Sequence, residues 1–78
     1  MARARPKIPF ELESLTRSEL ELIIDEHIKN EIDRQIAKMY YLDGVAQQDI
    51  GEEVGYSRSS IKRILPKLLN IICKYMNH

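Results

Sequence analysis

Seventy-eight residues bound this chain to one domain with a small core. With 44% hydrophobic and 31% charged residues it reads as a folded, soluble chain, and no run is long or apolar enough to span a membrane. Its single cysteine, Cys73, excludes an internal disulfide and suits a reducing cytoplasm. The formal net charge is zero, but the charges are segregated. Residues 1–10 carry Arg3, Arg5 and Lys7; residues 11–33 carry eight carboxylates against Arg17 and Lys29, leaving −6; residues 34–78 carry seven cations against Asp43, Asp49, Glu52 and Glu53, leaving +3. Such a layout lets basic ends approach phosphate while an acidic middle faces away.

Residues 1–14 are expected to form a basic N-terminal arm, and residues 15–78 a single helical domain. Met1 to Phe10 contains two prolines and no apolar stretch, so it does not read as a secretory signal. Arg3 and Arg5 could reach a minor groove, but a disordered solubilising tail is the plainer and preferred reading of them. The first helix is predicted over Leu15 to Ile28. Thr16 and Glu19 have the spacing of a capping box, Leu15 and Leu20 that of a hydrophobic staple, and Leu20, Ile23, Ile24 and Ile28 mark the inward face. His27 lies beside that face, with no histidine or cysteine partners at ligand spacing, so it reads as a packing or surface residue.

Asn30 can cap a second helix, with Glu31 and Asp33 at its positive end. Ile32, Ile36, Met39 and Tyr40 are expected to face inward, Leu42 closes the stripe, and Gly44 is the stop. A single long helix through Leu20, Ile24, Ile28, Ile32 and Ile36 is the alternative. Of Tyr40 and Tyr41, one is expected in the core and one at the rim.

A helix-turn-helix is predicted over residues 46–65. Ile50 and Val54 share a face of its first helix, Gly55 ends it, and Ser57 caps the next. Gly51 sits where the two helices cross, where a side chain would hold them apart. Ile61, Ile64, Leu65 and Leu68 form the inward stripe of the second helix. Its outward face carries Ser57, Arg58, Ser59, Ser60, Lys62 and Arg63 without an acidic residue. Arginine can pair bidentately with guanine, and serine serves a base or a phosphate. Glu52 and Glu53 face solvent or tune phosphate contacts. A helical hairpin with a solvated basic face is the plainer reading of the same residues.

Pro66 lacks an amide hydrogen and would clash with the Lys62 carbonyl, so the last helix is expected to kink or restart there. Beyond it Leu68, Leu69, Ile71, Ile72, Tyr75 and Met76 are apolar on more than one side. Leu68, Leu69, Ile72 and Met76 are therefore a candidate homodimer strip; packing on the first helix is the competing expectation.

The segment 32–69 resembles region 4 of bacterial sigma-70-type RNA polymerase sigma factors, and the small phage and mobile-element regulators that carry this region alone. The resemblance rests on Tyr41-Leu42-Asp43-Gly44, on Ile50-Gly51-Glu52-Glu53-Val54-Gly55 and on Ser57-Arg58 opening the second helix. It implies a small all-α domain of four helices (three to five) and a transcription regulator whose helix beginning at Ser57 reads the major groove of double-stranded DNA. By position the contacts fall to Ser57, Arg58, Ser59, Ser60, Lys62 and Arg63, with Gln47 and Lys67 beside them. Ala46 and Pro66 depart from the family pattern, which favours a serine or threonine cap and one continuous helix. The resemblance also implies a second class of function, a protein module contacting RNA polymerase or a sigma factor. No paired acid and base, nucleophile–base arrangement, phosphate loop or metal spacing occurs, so no enzyme activity, metal or cofactor is expected.

Overall fold

The computed structural model describes residues 12 and 15–76. Four α-helices make up the domain: α1 (Arg17–His27), α2 (Glu31–Ala37), α3 (Gln47–Val54) and α4 (Arg58–Met76). No strand is present among the described residues. The basic arm, with Arg3 and Arg5, lies outside those residues. Leu12, assigned to the arm from sequence, is instead buried in the core at 2% exposure, and its carbonyl accepts from the Leu15 N–H at 3.1 Å. The folded unit therefore extends at least to Leu12.

Local chemistry sets the helix ends. Thr16 closes the expected capping box: its hydroxyl accepts from the Glu19 N–H (3.1 Å), and its own N–H donates to Glu19 Oε1 (2.9 Å). Asn30 Oδ1 accepts from the N–H groups of Ile32 and Asp33 at 2.9 and 3.0 Å, so α2 is a separate helix. Between α1 and α2, Ile28 turns extended with its side chain buried, and its carbonyl accepts from Arg34 Nη1 at 3.1 Å.

Beyond Ala37 the chain does not continue as α-helix. Lys38–Leu42 forms a π-helical turn, which Asp43 N–H closes onto the Lys38 carbonyl at 3.1 Å. A π turn widens the spiral, and the inward register moves on by a residue. Tyr41, not Tyr40, is buried at 6% exposure, while Tyr40 stays half-buried with its ring edge-on to Tyr41 at 5.0 Å. Ile32, expected inward, is 36% exposed in the first turn of α2; Ile36, Ala37 and Tyr41 form the buried face instead. Arg17 ties this turn to α1, donating to the Leu42 carbonyl (2.9 Å) and Asp43 Oδ1 (2.8 Å). Lys38 does the same through Asp25 at 2.7 Å.

Tyr41 donates its hydroxyl to the Leu65 carbonyl at 3.3 Å. Burial, helped by nearby Tyr40 and Cys73, pushes its ionisation up to about 12 from the ordinary 10. The folded protein holds this proton more tightly than the unfolded chain does. Burial penalises the phenolate, so stability is undiminished below about pH 10 and falls as pH rises towards 12. Tyr41→Phe should be about 1 kcal/mol less stable at neutral pH, from the lost hydrogen bond. Urea midpoints of the two proteins should then converge and cross as pH rises above about 10. A difference that stays constant with pH would show that Tyr41 ionises like an exposed tyrosine.

Helix α4 is the spine, packing on α1, α2 and α3. Ile61, Leu65, Leu68 and Ile72, spaced four, three and four, are all buried. The helix runs unbroken through Pro66, so the restart does not occur; the proline lies on the exposed side. The proposed dimer strip is corrected here. Leu68 and Ile72 are 2% and 0% exposed inside the monomer's own core, and Leu69 and Met76 are half-buried against it. The C-terminal part of α4 packs on α1, where Tyr75 stacks on His27 with ring centroids 3.6 Å apart.

Candidate nucleic-acid interface

Helices α3 and α4 meet as the glycines dictate. Gly55 adopts φ 80° and ends α3, and the Gly51 carbonyl accepts from both Gly55 and Tyr56 N–H groups at 2.8 Å. A Cβ on Gly51 would lie 2.6 Å from the Tyr56 carbonyl oxygen and 3.6 Å from Ile61 Cγ1. The turn between the two helices therefore folds back so closely over Gly51 that only glycine fits there without a shift of backbone. Ile50 and Ile61, both 0% exposed, seal the inner side of the pair.

Ser57 caps α4. Its hydroxyl accepts from the Ser60 N–H at 3.2 Å and donates to Ser60 Oγ at 3.1 Å. Two of the serines expected to contact DNA thus direct their hydroxyls at each other, and Ser60 is half-buried; Ser59 is the outward one. Arg58, Lys62, Arg63 and Lys67 are all exposed, and among the described residues none makes an ion pair. Lys74 continues the series near the end of α4, which carries no carboxylate along its length.

This arrangement costs the isolated domain stability. Arg58–Lys62 and Arg63–Lys67 are like-charged pairs four apart, each unfavourable by roughly 0.2–0.5 kcal/mol. Arg58 also stands at the positive end of the helix, where a carboxylate would be favoured. An anion lying along the face would reverse both effects.

Arg58 and Lys62 share an open cavity of about 430 Å³ with Tyr40, Ala46, Gln47 and Gln48. It lies between the π turn, the start of α3 and the start of α4. Of the residues expected from sequence, Gln47, Arg58 and Lys62 are brought together here; Arg63 and Lys67 lie farther along α4. Ala46 gives α3 no side-chain cap, as its residue type implies. One lining residue escaped the sequence reading: Gln48, whose signal was its place beside Gln47 at the start of α3. Among the described residues no group of three or more acidic, histidine or cysteine side chains is placed to hold a metal ion. No helix among them is long and apolar enough to cross a membrane. Comparisons with protein families, with curated proteins and with solved structures find no match to this chain.

Proposed function

We propose that this chain is a sequence-specific DNA-binding transcription regulator of the sigma region 4 type. It acts in the cytoplasm of a bacterium or in phage-infected cells and has a binding role, not a catalytic one. Helix α4 enters the major groove with Arg58, Ser59, Lys62 and Arg63 towards the bases and phosphates, and Gln47 and Lys67 flank the backbone. The observation that carries the reading is the outer face of α4: cations four apart, without carboxylates or ion pairs, on a helix anchored by a close glycine crossing. Stability alone does not select that pattern, whereas a polyanion rewards it.

The test is selection of bound sequences from a random duplex library at fixed salt. With Leu68 and Ile72 occupied in the core, the expected consensus is a single asymmetric site rather than a two-fold repeat about 34 Å apart. Absence of any consensus would remove the reading. A second function, a module that contacts RNA polymerase or a sigma factor, draws on the acidic outer face of α1. Capture of polymerase without any DNA shift at low salt would favour it.

A further inference from the structure

Leu22 is the most exposed large apolar residue among those described, at 56%. A single exposed leucine is ordinary; its setting is what distinguishes this one. Glu26, at its i+4 position on α1, shares its face and is exposed, and exposed Glu21 stands to its other side; Asp25, at i+3, is already paired with Lys38 at 2.7 Å. The cavity beside α4 has the opposite character: exposed Arg58 and Lys62 around a half-buried Tyr40 ring, with volume to accept an isobutyl group. Within one chain the two features do not meet, since neither Arg58 nor Lys62 pairs with an α1 carboxylate. A net charge of zero supplies no overall repulsion to keep copies apart.

We propose that α1 of one copy docks on the α3–α4 cavity of a second, with Leu22 entering beside Tyr40 and Glu21 and Glu26 facing Arg58 and Lys62. The contact is head-to-tail: the accepting copy still presents its own Leu22, so the assembly grows instead of closing as a dimer. Its charges are exposed, so it is weak and weakened further by salt. Because it covers Arg58 and Lys62, self-association excludes DNA and would hold the regulator silent at high local concentration. That last clause rests on the DNA-binding reading; the self-association does not.

Sedimentation of the full chain over a concentration series tests it. At about 50 mM salt the average mass should rise past that of a dimer, and at about 500 mM it should return to the monomer. Leu22→Lys and Lys62→Glu, both at exposed positions, should each weaken association at least about tenfold while keeping the helical circular dichroism of the parent. Mixed together, they should form a one-to-one pair and nothing larger, because one intact α1 face and one intact cavity remain. Monomer alone at low salt overturns the proposal. So does association that survives both substitutions, or polymerase capture through Leu22 without self-association. Leu22→Lys should bind DNA as well as the parent or better. Failure of parent and variant alike to bind DNA would remove the proposed function and leave the self-association result standing.

Discussion

Alanine at both Arg58 and Lys62 is expected to weaken binding to the selected DNA site about a hundredfold without lowering the stability of the domain. One bidentate base contact is worth ~1–3 kcal/mol, and a phosphate contact adds a smaller share. Removing two cations should also flatten the dependence of affinity on salt by about two counterions. Stability should hold or rise slightly, because both side chains are exposed and unpaired with carboxylates. Their loss also relieves a like-charged i,i+4 pair and a cation at the positive end of α4. Fluorescence anisotropy on the selected site, run beside thermal unfolding, separates the two effects. Unchanged affinity would show that this face is not the one that meets DNA; a large fall in melting temperature would show that the two residues support the fold instead.

Valine at Gly51 is expected to destabilise the domain by roughly 3 kcal/mol, enough to leave much of so small a protein unfolded. The first added carbon already meets the Tyr56 carbonyl oxygen at 2.6 Å, and that oxygen belongs to backbone that cannot swing aside. Two further methyl groups would press on the same turn and on Ile61, whose Cγ1 is already 3.6 Å from that carbon. Gly55 makes the contrast. A Cβ there meets nothing within 4 Å, but φ is +80°, so Gly55→Ala should cost only about 1 kcal/mol, the price of the left-handed backbone. Denaturant unfolding of the two variants tests both, and equal effects would mean that the helix crossing is looser than the Gly51 geometry requires.

The features legible without coordinates are those written within a few residues of chain. Thr16 with Glu19, Asn30 with Glu31 and Asp33, and Ser57 before Arg58 announce helix starts, because a capping hydroxyl or amide reaches an N–H only two or three residues ahead. Gly55 announces a stop because its backbone needs no partner to turn left-handed. The cationic outer side of α4 could be read for a similar reason: the inward stripe of Ile61, Leu65 and Leu68 leaves Arg63 and Lys67 no other side and puts Lys62 at its margin, while Arg58 stays exposed because it stands in the first turn of the helix.

Side-chain periodicity marks which residues are apolar but not what covers them. It placed Ile32 and Tyr40 inward; the π turn after Ala37 moved the inward position to Tyr41, a change of hydrogen-bond register that residue spacing does not encode. It offered Leu68, Leu69, Ile72 and Met76 to a second subunit, whereas Leu68 and Ile72 are buried in the chain's own core and Leu69 and Met76 are half-buried against it. Leu12 joins that core from a segment whose composition reads as a tail. The amino-acid sequence alone determined the caps, the stop at Gly55, the helix-turn-helix and the charge of its outer face, all of which depend on neighbours within one or two turns. Only the tertiary structure decided which apolar strip is core, which tyrosine is buried, and that Tyr40, Gln47, Gln48, Arg58 and Lys62 enclose one cavity. Those outcomes depend on packing between residues far apart in the chain, where the shape of the partner element decides what is covered.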